Sequence, residues 1–550
     1  MSPRAHCSCR ASRGAITGAV AAWTALAAVL VAFVLSILAY RGHQADVYDT
    51  FRNFRVTDLS LLLRMISLAV SALLVMLSFP LKDSATGNRT VDWGRDGPEY
   101  FGLLLLSFAG LILTAQANDL VGLFMGLELA SIPTYILVST SRPLPAAQEA
   151  GVKYFFLGAL AAAILLMGFA YLYGTTGSTN LDDIAKSIHG LGHGTLSGWQ
   201  VLAGVLVVVA VGFKMAAVPM HAYAGDVYQG AATPITAVLG FVPKTVGLII
   251  QIKVLLLLSG GSLDAIPPVL GKLLWAVAVL TMTFGNVLGL TQNNVKRMLA
   301  YSSVGHSGYL LAGLAALALS EDYVVKTASL SAVIVYIAIY GVTSTASFGI
   351  LSLIPSRQTI KVEGKTYRLP ASSAETFDDL AGVGRSHPLL GIGMAVACFG
   401  LIGLPLTAGF VGKYLLIAPA ISSADARTNG GWLLALAIFM ILNSATGAAF
   451  YLRIVYGMFA KPATTMMPSG TVDESAAIDL ATPSSSPFVA RVACAMSVLA
   501  ILIVGMVLPA AELLRTSADT AVDAMTSAAP EPQNDSAALP VAGPSVSLVH

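Results

Sequence analysis

Long runs of apolar residues, separated by short polar stretches, extend along almost the whole chain. About thirteen runs are roughly 20 residues long, enough to cross ~30 Å of hydrocarbon at about 1.5 Å per residue. They lie near residues 15–40, 59–79, 99–117, 119–139, 153–174, 200–218, 233–258, 268–290, 298–317, 327–354, 388–417, 432–459 and 487–509. Because the runs are continuous rather than alternating, they predict helices and exclude a transmembrane barrel. We expect an all-α, polytopic membrane helix bundle.

The composition agrees with this prediction. Of 550 residues, 56% are hydrophobic and only 11% are charged, far from the usual composition of a soluble domain. The formal net charge is +2, and no basic cluster with interleaved aromatics indicates nucleic-acid binding. Cys398 and Cys494 lie singly in apolar runs, which favours a packing role. Cys7 and Cys9 lack the further ligands that a zinc or iron-sulfur site requires, so we expect neither a metal site nor a redox centre.

Charged loops indicate an orientation for the chain. Arg4, Arg10 and Arg13 precede an apolar run that is longer than the core of a cleaved signal, so we expect a retained signal anchor with its N-terminus in the cytoplasm. Lysines and arginines are more frequent in the loops that would then be cytoplasmic, although the bias is not complete. With thirteen spans, the C-terminus would lie outside.

Three stretches interrupt the apolar pattern: residues 80–98, residues 355–387 and the tail from about Ser517. We expect loops in the first two and disorder in the tail, whose Ala-, Ser-, Pro- and Asp-rich composition buries little apolar surface. The predicted divisions are N-terminal spans 1–98, a first half 99–258, a second half 259–430, C-terminal spans 431–514 and a disordered tail 515–550.

Two apolar runs contain backbone-disrupting residues close to a lysine. Lys214 is followed by Pro219, Gly225, Gly230 and Pro234, and Lys413 is preceded by Pro405 and Gly409. Proline removes a backbone donor and kinks a helix. Such interruptions, one in each half of a transporter, indicate discontinuous helices that form sites near the middle of the membrane.

Four ionisable residues, Glu128, Lys214, Lys244 and Lys413, lie isolated within apolar runs. Glu128 follows the start of its run by about nine residues, roughly 13 Å at the helical rise. A charge at this depth costs about 3 to more than 10 kcal/mol by differing estimates, so it usually marks an ion path or a buried pair. If Glu128 moved relative to a lysine such as Lys214, the proton affinity of that lysine would change. The alternative is a static ion pair.

His306 and Lys153 are further candidates for proton transfer. His306 lies deep in its run, and imidazole exchanges protons near neutral pH; a lone histidine is also often a hydrogen-bonded core residue. Lys153 begins its run, where a lysine side chain can extend towards the membrane surface.

Five strings resemble subunit N of bacterial NADH-quinone oxidoreductase, the respiratory complex I. They are GLELASIP at 126–133, KYFFLGA at 153–159, DVYQGA at 226–231, NVKRMLAYSS at 294–303 and GLPLTAGFVGK at 403–413. The resemblance covers roughly residues 57–460, and the strings follow the order of the family. It implies an antiporter-like subunit with two inverted repeats of five helices, each repeat with a discontinuous helix.

The resemblance also implies roles for individual residues. Glu128 corresponds to the glutamate of the first half-channel, Lys214 to its broken-helix lysine, Lys244 to the connecting lysine and Lys413 to the lysine of the second half-channel. Lys153 corresponds to a further family lysine. The family usually has fourteen spans, and the one missing here is the first, so the native start is either upstream or the span is absent. Met220, Tyr223, Gly225 and Ala232 replace a phenylalanine, a tryptophan and two prolines of the family.

The sequence therefore predicts a proton-translocating subunit of the bacterial inner membrane. By resemblance, this chain holds no cofactor, whereas NADH, FMN, iron-sulfur clusters and quinone bind to partner subunits; its partners would be those membrane and peripheral subunits and the lipid bilayer. The alternatives are a subunit of a multisubunit sodium/proton antiporter or of a membrane-bound hydrogenase, and a structural subunit whose charges form fixed pairs.

Overall fold

The computed structural model describes residues 3–42, 53–79, 81–82, 89–91, 96–140, 145–189, 196–261, 263, 266–354, 356, 359–362, 365–368, 373–423, 429–460 and 488–527. Its helices are α1 (Pro3–Gly42), α2 (Asp58–Leu77), α3 (Gly97–Gln116), α4 (Leu120–Thr140), α5 (Pro145–Thr176), α6 (Leu181–His189), α7 (Gly198–Lys214), α8 (Ala224–Gly230), α9 (Thr233–Leu258), α10 (Pro268–Leu290), α11 (Val295–Leu319), α12 (Tyr323–Leu353), α13 (Phe377–Leu380), α14 (Val383–Ser386), α15 (Pro388–Ile402), α16 (Ala408–Ser422), α17 (Gly430–Phe459), α18 (Phe488–Met506) and α19 (Leu508–Ser527). The predicted all-α membrane bundle is confirmed.

Side chains at the ends of several helices explain where those helices start. Thr57 and Ser60 form a reciprocal capping box at the start of α2, and Ser197 and Gln200 form another at the start of α7. Each box satisfies backbone donors that lack partners within the helix. Asn294 accepts a hydrogen bond from the backbone of Arg297 and so caps α11.

Eleven helices in the described part of the chain are long and apolar enough to cross a membrane, or twelve if a pair bent by 120° at residue 387 is one span. The predicted runs at 200–218 and 388–417 contain shorter apolar helices, Gly198–Lys214 and Ala408–Ser422, next to breaks. The count of about thirteen spans and the arrangement in inverted repeats stay predictions.

Three helices form the centre of the bundle. Within their apolar windows, all of α11 and 89% of α9 and of α12 are buried, whereas only 28% of α1 and of α18 is buried. Central helices can therefore carry polar side chains that never meet lipid, while the outer helices present apolar side chains outward. Cys398 and Cys494 are buried, in agreement with a packing role.

The polar stretches between helices contain short structured segments. Strands β1 (Leu81–Lys82) and β2 (Arg89–Val91) pair in the first predicted loop, and β3 (Thr359–Val362) and β4 (Lys365–Arg368) pair in the second. Both pairs are antiparallel.

The C-terminal helix differs from the sequence prediction. Helix α19 continues through Ser527, so residues 515–527 are helical where the sequence predicts a disordered tail. Ala518, Ala521 and Val522 are buried, and Arg515 forms an ion pair with Asp519 one turn later. A small apolar face on a helix thus supplies the packing that composition alone does not reveal. Residues 528–550 lie outside the described residues.

Candidate functional site

The first part of the site is formed by helices α4 and α7. Glu128, Ser131 and Tyr135 follow a spacing of three and four residues on α4 and therefore share one face. Lys214 is the last residue of α7 and is almost fully buried. Its ammonium donates hydrogen bonds to Ser131 Oγ (2.8 Å) and Tyr135 Oη (2.7 Å).

Glu128 lies close to this lysine without a hydrogen bond to it. The distance from Glu128 Oε1 to Lys214 Nζ is 3.9 Å. This oxygen is buried and has no hydrogen-bond partner among the described residues. The arrangement is a loose ion pair, in which the carboxylate attracts the ammonium while two neutral hydroxyls hold it.

Helix α7 ends at Lys214, and the irregular backbone that follows forms the first break in the helical structure. Ala216 adopts a left-handed backbone conformation with φ 54°, which a non-glycine residue seldom adopts outside a turn. The carbonyl of Phe213 accepts a hydrogen bond from Tyr223 Oη (2.8 Å), and the carbonyl of Met215 accepts one from Ser307 Oγ. A 3-10 turn at Met220–Tyr223 and helix α8 follow. The predicted discontinuous helix at this position is confirmed.

Lys244 lies between the break and helix α11. Its ammonium donates to Ser307 Oγ at 2.8 Å and to the backbone carbonyl of Ser303. It also lies 5.3 Å from the centre of the Tyr340 ring, a cation–π distance. Lys244 is buried, and no carboxylate of the described residues lies within ion-pair distance of its ammonium. Its contacts in the described residues are a hydroxyl, a backbone carbonyl and an aromatic ring, all of them neutral.

His306 lies next to Lys244, between three tyrosines. Its Nδ1 is 2.6 Å from Tyr336 Oη and its Nε2 is 3.1 Å from Tyr451 Oη. The imidazole also stacks on the ring of Tyr340 at 4.9 Å between centroids. Both ring nitrogens therefore have a hydroxyl that can donate or accept a proton.

The second break places Lys413. Helix α15 ends at Ile402, and Gly403 and Leu406 follow with φ of 83° and 72°. From the next helix, α16, the Lys413 ammonium donates to the carbonyl of Ile402 (2.8 Å) and to Ser444 Oγ (2.9 Å). It lies 4.8 Å from the centre of the Tyr309 ring.

Together these groups form a row of polar side chains and aromatic rings through the apolar core. Ser307 joins the break after Lys214 to Lys244, and Tyr340 joins Lys244 to His306. The rings of Tyr336 and Tyr309, 6.2 Å apart between centroids, lie between His306 and Lys413. The structure thus brings Glu128, Lys214, Lys244, His306 and Lys413 into one row.

Lys153 lies elsewhere. Its ammonium is 2.7 Å from Glu149 Oε1 and 2.9 Å from Asp226 Oδ2, and 43% of its side chain is exposed. Asp226, at the start of α8, also accepts a hydrogen bond from Arg297 Nη1 at 2.9 Å. Lys153 is therefore part of an exposed ion-pair network that attaches the broken segment to α5 and α11.

The sequence analysis does not identify the tyrosines of the row as candidates for proton transfer. Tyr336 and Tyr340 are four residues apart on α12, which places them on one face, but an apolar run with two tyrosines does not by itself indicate a polar path. Their position opposite His306 is a property of the packing between α11 and α12. No group of three or more His, Cys, Asp or Glu side chains in the described part of the chain is arranged to hold a metal ion.

Comparison with known proteins identifies the family. Residues 117–442 match the model of the NADH:quinone oxidoreductase/Mrp antiporter transmembrane family. The chain belongs to this family. The matched region contains all five ionisable residues of the row, Glu128, Lys214, Lys244, His306 and Lys413.

Curated relatives within the family include subunits of one enzyme. NADH-quinone oxidoreductase subunit N of Salinibacter ruber is 33% identical over 485 residues, 88% of each chain. The protein of the same name from Trichlorobacter lovleyi is 36% identical over 66% of this chain and 68% of its own. A chain of respiratory complex I from Thermus thermophilus with bound aureothin is 26% identical and matches with a TM-score of 0.64, over 91% of this chain and 98% of that one. The protein is a multi-pass protein of the bacterial inner membrane.

Proposed function

We propose that this chain is the proton-translocating membrane subunit N of an NADH-quinone oxidoreductase. The observation that supports the proposal is the row from Glu128 to Lys413, in which buried or largely buried ionisable groups are joined by hydroxyls, carbonyls and aromatic rings. Such groups are costly in hydrocarbon and are typical of proton relays.

The loose pair at the start of the row supplies a switch. Two unit charges about 4 Å apart attract by about 4 kcal/mol at an effective dielectric constant of ~20. Movement of Glu128 relative to Lys214 therefore changes the stability of the charged lysine enough to favour uptake or release of its proton. Ser131 and Tyr135 can hold the ammonium in the meantime, because each offers a lone pair.

The groups that follow can pass the charge onward. When Lys244 is neutral, its amine can accept a proton released by Lys214, and the added positive charge then favours transfer from Lys244 towards His306 and Lys413. His306 has a hydroxyl on each ring nitrogen, so it can receive a proton on one nitrogen and release the other. Each transfer changes the protonation state of the next group, and no redox step occurs in this chain.

The energy would come from partner subunits. We infer that NADH, FMN, iron-sulfur clusters and quinone bind elsewhere in the assembly, and that quinone reduction there moves charge at the end of the row. The subunit is thus part of an enzyme, a translocase, through its complex. We also propose Glu128, Lys214, Lys244, His306 and Lys413 as the proton path, with Lys153 in the ion-pair network that holds the broken segment beside it.

Proton pumping by inverted membrane vesicles tests the proposal. The chromosomal gene for this chain is replaced by the wild-type gene or by one that encodes Lys214→Met or Lys186→Met. Lys186→Met is the control, because it changes an exposed lysine on α6. After addition of NADH, we expect acidification in the wild type and in Lys186→Met, and almost none in Lys214→Met, with slower NADH oxidation. Unchanged pumping by Lys214→Met would overturn the translocation proposal.

Purification of the tagged chain in mild detergent identifies its assembly. We expect co-migrating flavin and iron-sulfur subunits with NADH-quinone activity. A complex that exchanges sodium for protons without NADH, or one with hydrogenase subunits, would replace the assigned enzyme with the antiporter or the hydrogenase alternative.

A further inference from the structure

Ser307 contacts both the first break and the next lysine of the row. Its Oγ accepts a hydrogen bond from Lys244 Nζ at 2.8 Å and donates to the carbonyl of Met215, with the carbonyl of Ser303 as a second possible acceptor at 3.2 Å. Ser307 and Met215 are fully buried. One hydroxyl therefore connects Lys244 to the residue that follows Lys214.

The side chains of Lys214 and Met215 pack closely against the helix that carries Lys244. A Cβ atom added at Gly247, on α9, would lie 2.9 Å from Met215 Cγ and 3.4 Å from Lys214 Cβ. Because α9 packs against the side chains of both residues, we expect a shift of the Met215 peptide to displace Lys214 as well.

The chemistry of lysine makes this contact depend on protonation. A charged ammonium has three donors and no acceptor, so it occupies a lone pair of Ser307 Oγ and the serine proton must point to a carbonyl. A neutral amine has a lone pair and can accept that proton instead. The Met215 carbonyl then loses its donor, and a buried carbonyl without a donor costs about 1–3 kcal/mol.

We infer that Ser307 is a positioning residue that transmits the protonation state of Lys244 to the break after Lys214. While Lys244 is charged, the serine hydroxyl holds the Met215 carbonyl and keeps the Lys214 ammonium near Ser131 and Tyr135. When Lys244 is neutral, the hydroxyl turns towards the amine and the end of α7 is released. The inference rests on the proposed function and adds a step that couples two of its lysines.

The surroundings of Lys244 favour this assignment. The titratable groups that face it are Tyr340 on α12, His306 on α11 and, through Ser303, Tyr228 on α8. No carboxylate in the described residues forms an ion pair with Lys244, so no fixed negative charge competes with the serine for the ammonium. A second carbonyl at the break, that of Phe213, accepts hydrogen bonds from Tyr223 Oη and from the backbone N–H of Ala216, and neither donor contacts Lys244 in the described residues.

The test compares four variants in the intact complex. Ser307→Ala removes the hydroxyl and Ser307→Thr keeps it. Ser347→Ala removes a buried hydroxyl on α12 whose one hydrogen bond within the described residues is to the Ser344 carbonyl of its own helix. Lys244→Met is included to test the proposed function itself. The quantity measured is the number of protons pumped per NADH oxidised, because a loss of assembled complex lowers both rates and leaves this ratio unchanged.

We expect the ratio to fall at least twofold in Ser307→Ala, to recover in Ser307→Thr and to stay at the wild-type value in Ser347→Ala. A wild-type ratio in Ser307→Ala, or a ratio in Ser307→Thr as low as in Ser307→Ala, would overturn the inference while the proposed function stands. Wild-type pumping by Lys244→Met would instead overturn the role of Lys244 in the proposed function. If Ser307→Ala fails to assemble, Ser307→Cys decides: its thiol is a weaker donor, so the ratio must be lower than in wild type, and an unchanged ratio contradicts the inference.

Discussion

Glu128 Oε1 lies 3.9 Å from Lys214 Nζ, beyond hydrogen-bond distance, while the same ammonium is 2.7 Å from Tyr135 Oη. The carboxylate and the lysine are thus near enough to attract each other but are held apart by neutral ligands. A closed pair would fix both charges, whereas this arrangement lets a small movement of α4 or α7 change the attraction considerably. We therefore expect transport to depend on the negative charge of Glu128 and not only on a side chain of its size.

Replacement of Glu128 by glutamine tests this relationship. Glu128→Gln keeps the size of the side chain and removes its charge, so the ammonium of Lys214 would lose its attraction to the carboxylate and keep only its neutral ligands on α4. We expect proton pumping to fall at least tenfold, since about 1.4 kcal/mol already corresponds to a tenfold change. Dye-monitored acidification of inverted vesicles measures this change.

Glu149 provides a matched control for this variant. It is also a glutamate paired with a lysine, but 66% of its side chain is exposed. Glu149→Gln should pump at the wild-type rate. Equal loss in both variants would show that Glu128 has no special place in the path.

The Tyr135 hydroxyl is the second component of this arrangement. Tyr135→Phe keeps the ring next to Lys214 and removes one of the two hydrogen-bond acceptors of a buried cation. A hydrogen bond to a charged group contributes about 1.5–3 kcal/mol. We therefore expect pumping to slow roughly tenfold, with the amount of assembled complex close to that of the wild type. Tyr456→Phe, which changes a largely exposed tyrosine of α17, should pump normally; a wild-type rate in Tyr135→Phe would show that the ammonium does not depend on this hydroxyl.

Much of the fold follows from the sequence for a simple physical reason. Unpaired backbone groups are not tolerated in hydrocarbon, so each long apolar run has to be helical. The breaks were also predictable, because Pro219 and Pro405 cannot continue a helix in the ordinary way. Helix α19 was not predicted, since its buried face consists of Ala518, Ala521 and Val522 and is too small to stand out from an alanine-rich tail.

The site was predictable only in part. Glu128, Lys214, Lys244 and Lys413 stand out because a charge in an apolar run is rare, and the structure places all four in one row. Tyr336, Tyr340 and Tyr451 do not stand out, because tyrosine is common in membrane helices. Their partners are hydroxyls and ring nitrogens on other helices, so their role depends on tertiary packing that spacing along one helix does not define.

For Lys153, the role implied by the family resemblance and the role indicated by its contacts differ, and a substitution can distinguish the two. Its partners Glu149 and Asp226 are partly exposed, and exposed ion pairs contribute about 0–1 kcal/mol. We expect Lys153→Met to lower the pumping rate less than threefold. Asp226→Asn should have a larger effect, because Asp226 binds both Lys153 and Arg297 at the start of α8. If Lys153→Met pumped as poorly as Lys214→Met, Lys153 would belong to the proton path rather than to the network that holds the broken segment.

Gly409 tests how the second break positions Lys413. A Cβ atom at Gly409 would lie 1.7 Å from the carbonyl oxygen of Gly400, a backbone atom that cannot rotate away. Helices α15 and α16 would have to separate, and the Lys413 ammonium would lose its contact with the Ile402 carbonyl at 2.8 Å. Because overpacking usually costs about 1–3 kcal/mol and this clash involves backbone on both sides, we expect Gly409→Ala to cost at least ~3 kcal/mol.

The amount of chain in the intact complex on a native gel, and the temperature at which the complex dissociates, measure this cost. Gly102→Ala is the control, since a Cβ atom there meets nothing within 4 Å and alanine favours a helix over glycine by about 1 kcal/mol. We expect normal assembly for Gly102→Ala and a large loss for Gly409→Ala. Normal assembly and pumping by Gly409→Ala would mean that α15 and α16 do not approach each other through Gly400 and Gly409. Lys413 would then reach the row by another arrangement of the second break.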